Sequence, residues 1–181
     1  MKPFCGYYQI LAAFVFLILM PGHAFAQKSA ELNRLDEKLA RHLEKKMPDW
    51  KHERGEPIAG SDDSVLIEFW SSPNRKVKVS ILLHNSVEVS QQVIQEHARY
   101  SFNKETLTGL GDEAYASGYG SSLVAFRKGK FTVYVSTVAD VDSDEEARNL
   151  NQEQRFEREK QEMKRLSKEF AKLIVDGIDA P

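Results

Sequence analysis

The chain has 181 residues, with 25 Lys plus Arg against 27 Asp plus Glu and a formal net charge of −2. A balance this close to neutral excludes a global electrostatic pull toward nucleic acid or an anionic membrane surface. Hydrophobic residues at 41% and charged residues at 29% fit a globular protein and exclude wholesale disorder.

The first residues read as an address. Residues 1–9 carry one positive charge, Lys2, and Ile10 to Met20 is an unbroken apolar run. That run is about half of the roughly 20 residues a membrane-spanning helix needs. Pro21-Gly22 breaks it, and Ala24-Phe25-Ala26 sets small residues at both cleavage positions. Residues 1–26 are therefore expected to be a secretory signal peptide cut before Gln27, the alternative being a short uncleaved anchor. Cys5, the only cysteine, precedes the apolar run, whereas a lipoprotein cysteine follows it. The expected product, residues 27–181, is one exported domain, periplasmic or extracellular, with no stable membrane anchor. It carries no disulfide, thiol nucleophile, redox pair or zinc-thiolate site.

Residues 29–47 predict a helix, because Leu32, Leu35, Leu39, Leu43 and Met47 recur on one face, with Ser29 as cap and Pro48 as stop. Trp50 to Glu56 is a candidate polar strand. Val65 to Trp70 predicts a strand with Val65, Ile67 and Phe69 on one side and Trp70 on the other, where Trp70 is either ordinary core or part of an open binding face. Lys76 to Leu83 alternates, with Val77, Val79, Ile81 and Leu83 inward. Asn85 and Ser86 cap a helix to about Tyr100 whose expected buried face is Val89, Val93, His97 and Tyr100. A glycine-rich loop follows, with a short strand near 114–117. Ser122 to Arg127 and Phe131 to Val138 form a hairpin around Gly129. The last helix is expected from Asp144 to about Asp176, opened by a Ser143-x-x-Glu146 capping box. Its second half carries an apolar stripe from Met163 to Ile178, and its first half is mostly charged. The fold class is therefore α+β: an antiparallel sheet of five to six strands flanked by helices, with a long C-terminal helix.

The stretch Gly109-Leu110-Gly111-Asp112-Glu113-Ala114-Tyr115, with Phe126-Arg127-Lys128-Gly129-Lys130 and Val133-Tyr134-Val135-Ser136 after it, resembles a pattern in small bacterial secreted domains of unknown function whose layout is similar to the PsbP-like fold group. The resemblance implies an antiparallel sheet flanked by helices. It also implies a binding module or assembly factor more than an enzyme, and it brings no catalytic motif. The long charged last helix departs from that layout.

Catalytic and metal motifs are thin. Gly109-x-Gly111-x-x-Ala114 matches a dinucleotide fingerprint in letters, but the physics needs a strand before it and a helix after it, and here the order is reversed. Asp140-x-Asp142-x-Asp144 opens like a calcium loop but has Glu145 where the loop needs glycine and Asn151 where it needs glutamate. His42, His52, His84 and His97 show no paired metal spacing, and His97 reads as a core histidine. No serine sits in a nucleophile elbow. No cofactor and no metal are expected. RKVK at 75–78 and RKGK at 127–130 read as solvated edges and turns.

The expected function is binding of an unknown protein or small ligand, not of nucleic acid. Glycine gives the 109–120 loop its turns, and tyrosine offers apolar area with a polar tip. The candidate contact residues are Asp112, Glu113, Tyr115 and Tyr119, with Arg127 from the hairpin. The competing reading makes Tyr115 a core plug. Two other functions stay open: an exported hydrolase whose site only the fold assembles, and an assembly factor docking through its last helix.

Overall fold

In the computed structural model, residues 20–56, 64–141 and 149–180 are described, with side chains from Ala30 onward. Three α-helices and seven strands follow in the order α1 (Met20–Lys46), β1 (Lys51–Arg54), β2 (Val65–Ser72), β3 (Arg75–Leu83), α2 (Val87–Tyr100), β4 (Glu105–Leu107), β5 (Glu113–Ser117), β6 (Leu123–Lys128), β7 (Phe131–Ala139) and α3 (Gln152–Asp179). A 3₁₀ turn, Tyr119–Ser121, links β5 to β6. The strands form one antiparallel sheet in the order β1-β2-β3-β7-β6-β5-β4. The α+β class and the long last helix are as expected; the strand count is one above the expected range. The extra strand is β4, which has no alternating pattern of its own and exists by pairing with β5. No described helix is long and apolar enough to cross a membrane.

Helices α1 and α3 cover one face of the sheet. The stripe Leu32, Leu35, Leu39 and Leu43 of α1 joins Phe170, Ala171 and Ile174 of α3 in one core with Val77, Val79, Ile81, Val124, Phe126, Val133 and Val135. The helices also meet each other: a Cβ on Gly177 of α3 would stand 2.7 Å from the Leu39 Cδ2, so glycine lets them approach without displacing that side chain. Helix α1 begins at Met20, so Pro21 and Gly22 lie in its first turn rather than ahead of it. Proline costs no hydrogen bond there, because the first N–H groups of a helix have no partner inside it.

Strand β2 turns its Trp70 side to α1 and α3, so Trp70 is core and not part of an open face. Leu66, Glu68 and Trp70 point to the helices and are buried, while Phe69 is exposed and Ile67 is buried on the far side. The register decides this: Leu66, Glu68 and Trp70 pair with Ile81, Val79 and Val77, whose row already faces the core.

Helix α2 covers the other face over β6 and β7. Ser86 caps it, accepting from the Val89 N–H at 3.3 Å. Its buried residues are Ser90 and Ile94, with Ala98 packed beside them, so the expected face of Val89, Val93, His97 and Tyr100 is corrected by about one position. Small Ser90 lets the helix approach the hairpin turn and donates to the Gly129 carbonyl at 2.8 Å.

The last helix starts later than expected. Asn151 is its cap in a capping box with Gln154. The acidic stretch at 142–144 and the expected Ser143–Glu146 box lie outside the described residues. Charged residues in both halves of this helix tie it to the rest of the fold. Lys164 and Lys168 pair with Glu105, and Glu162 pairs with Arg75.

Candidate functional site

The glycine-rich connection before β5 is held by the hairpin. A Cβ on Gly111 would lie 2.3 Å from the Arg127 carbonyl oxygen, and its φ of 57° is in the left-handed region, so no other residue fits. This approach lets the Asp112 N–H donate to that carbonyl at 2.8 Å. The Asp112 carboxylate accepts from the Gly129 N–H at 2.8 Å and meets the Arg127 guanidinium at 2.8 Å. Glu113 lies 3.7 Å from the same guanidinium. Asp112, Glu113 and Arg127 are thus brought together, with Arg127 buried behind the two acids.

Tyr115 is buried beneath α2, where it packs with Ile94 and Ala125. Its hydroxyl is hydrogen-bonded to Nδ1 of His97. The His97 ring also faces Tyr134, with centroids 4.8 Å apart. Burial lowers the His97 pKa, raises that of Tyr115, and pushes Tyr134 up to about 12, with the Tyr115 charge as the lesser cause for Tyr134. The three groups are therefore held in their neutral forms. Ser101 lies 3.4 Å from His97 Nδ1, but its hydroxyl donates to the His97 carbonyl at 2.8 Å. That bond commits the proton a nucleophilic serine has to give to the imidazole.

Between α2 and the β4–β5 edge lies a groove of about 300 Å³. Ile94 and Ala98 line it on the helix side; Lys104, Asp112, Glu113 and Tyr115 line it on the sheet side. Gln95 reaches across it to Glu113 at 3.5 Å. Three of the five candidate residues thus border one cleft.

Tyr119 is not among them. The 3₁₀ turn directs it to α3, where its ring meets Phe156 edge-on at 4.9 Å, with Lys160 Nζ 4.3 Å from the Phe156 centroid. Gly120 sits against α3, where a Cβ would stand 2.9 Å from the Lys160 Cα. The Gly118 N–H donates to the Phe102 carbonyl at 3.3 Å, which brings the end of α2 beside this turn. Tyr100 is 82% exposed and Phe102 64% exposed, and Tyr119 and Phe156 are exposed as well. Tyr100 ends α2 and Phe102 follows it, in the connection between α2 and β4, the two elements that wall the groove. Sequence reading missed Tyr100, Phe102 and Phe156 as surface groups. The available signal was the Tyr100-Ser101-Phe102 run at a helix end, where the periodicity that buries aromatics stops.

Among the described residues, no group of three or more His, Cys, Asp and Glu is arranged to hold a metal ion. Compared with protein-family models, curated proteins and solved structures, the chain has no significant match.

Proposed function

We propose that this chain is an exported binding domain whose contact surface is the groove between α2 and β4–β5 together with its aromatic rim. The observation that carries this reading is the exposure of Tyr100 and Phe102 beside a cleft bordered by Asp112, Glu113 and Tyr115. Large aromatics at the surface are favoured at interfaces, because they bury much area for few frozen torsions. The frame beneath them is stiff, since the Asp112–Arg127 clip and the Gly120–Lys160 contact fix the loops. The export reading rests on the apolar run and the Ala24-Phe25-Ala26 signal. A helix-flanked antiparallel sheet is in keeping with the PsbP-like layout that the motifs suggest.

Affinity capture from the native periplasm or medium tests the reading, with wild type and two fold-neutral variants as bait. Tyr100→Ser with Phe102→Ser strips the rim, and Gln95→Trp fills the groove. A partner retained by wild type and lost by a variant of unchanged melting temperature supports the surface. Capture unaltered in both variants removes it.

A further inference from the structure

The interface under α1 buries ionisable groups that the groove does not use. Glu68 on β2 is 0% exposed. Its Oε2 accepts from the Trp70 indole N–H at 3.2 Å, and its Oε1 has no hydrogen-bond partner among the described residues. Asp36 of α1, also buried, is within hydrogen-bonding reach of the same carboxyl. From β1, His52 stacks on Trp70 at 4.3 Å and holds Nε2 3.8 Å from Glu68. Arg54 pairs with Asp36 at 2.9 Å and donates to Asn33 of α1 at 3.1 Å. Glu44 of α1 lies 3.9 Å from His52 Nδ1. On β3 the residue paired with Glu68 is Val79, and α3 places Phe170 beside Trp70.

Two carboxyl groups therefore meet between a helix and a sheet with one guanidinium to balance them. Two ionised carboxylates in so dry a place repel each other and lose hydration, whereas one proton between them satisfies the unpartnered oxygen. We propose that Asp36 and Glu68 share a single proton and that this proton latches α1 onto the sheet. Burial first, then the contact with Asp36, pushes Glu68 up to about 8, against smaller lowering contributions from Trp70 and Arg54.

The direction of the pH response follows. Opening α1 returns Glu68 to water and to its ordinary value of 4.5, so opening releases a proton at any pH between 4.5 and about 8. The latch is at full strength below that window, weakens as pH rises through it, and is gone above it.

Hydrogen exchange of the α1 amides, corrected for intrinsic rates, tests this between about pH 5 and 9 in wild type, Glu68→Gln and His52→Gln. In wild type the protection of α1 falls by up to about tenfold per pH unit and levels off above about pH 8, while α2 amides do not change. Glu68→Gln abolishes the fall and His52→Gln retains it. A flat wild-type profile, or the same fall in Glu68→Gln, overturns the proposal. A fall lost only in His52→Gln places the proton on the imidazole and also overturns it. If Glu68→Gln does not fold, the side-chain carboxyl ¹³C shift of Glu68 in wild type decides: a midpoint well above 4.5 supports the latch, and a midpoint near 4.5 sinks it.

Discussion

The Arg127 guanidinium meets the Asp112 carboxylate at 2.8 Å, and the same arginine donates to the Gly129 carbonyl at 3.2 Å. One buried side chain thus ties the turn before β5 to the turn between β6 and β7. Arg127→Met keeps the aliphatic stem and removes both charge-assisted bonds, each worth about 1.5–3 kcal/mol. The Arg127 Nε is buried without a hydrogen-bond partner among the described residues, so its removal offsets part of the loss. The expected destabilisation is about 1.5 kcal/mol, measured as a shift in urea midpoint at constant slope. An unchanged midpoint shows that the clip contributes nothing.

Two glycines in the same turn separate conformation from space. Gly109 has a φ of 76° and nothing within 4 Å of a built Cβ, while Gly111 has a φ of 57° and the Arg127 carbonyl 2.3 Å away. Gly109→Ala is expected to cost about 1–2 kcal/mol, the conformational penalty alone. Gly111→Ala adds a backbone clash and is expected to lower the melting temperature much further. Equal losses for the two variants contradict the close approach.

The two halves of α3 differ in what they bury. Phe170 is fully buried, edge-on to Trp50 at 5.0 Å, and Phe170→Ala is expected to cost about 3–5 kcal/mol. Glu157 is exposed and, among the described residues, pairs with Lys160 on its own helix, so Glu157→Ala is expected to change stability by less than about 0.5 kcal/mol. Chemical denaturation of both variants is the check. A large loss in Glu157→Ala requires a contact beyond its own helix.

Acid should weaken the tie between α3 and β3. Glu162 accepts from Arg165 at 2.8 Å and from Arg75 at 2.7 Å, and these bonds, Arg165 first, hold its pKa down to about 2 against an ordinary 4.5. A carboxyl with a depressed folded-state pKa contributes stability that is present above 4.5 and lost as pH falls through about 2. Glu162→Gln is therefore expected to be less stable than wild type at neutral pH, by about 1 kcal/mol once solvent screening is allowed for. The gap should close between about pH 4.5 and 2 in paired thermal melts. A gap that persists at the acid end assigns the loss to something other than charge.

Much of this molecule is legible from local pattern. The leucine stripe of α1, the alternation of β3 and the Lys128-Gly129-Lys130 turn each state their structure within a few residues, because a helix face, a strand face and a positive-φ turn are local requirements. The α+β class belongs to the same level. The face of β2, the turn of α2 and the existence of β4 do not. Glu68 breaks the apolar alternation that would have announced its strand's inner side, and only the register with β3 restores it. Ser90 buries more deeply than Val89, because closeness to the hairpin, not hydrophobicity, selects the inner face of α2. The candidate site divides in the same way. That Asp112, Glu113 and Arg127 are one ionic group, that Tyr115 belongs to His97 while Tyr119 belongs to Phe156, and that Asp36 meets Glu68 are long-range facts. Side chains distant in the chain become neighbours only when strand order and helix packing are complete, and no local periodicity encodes that distance.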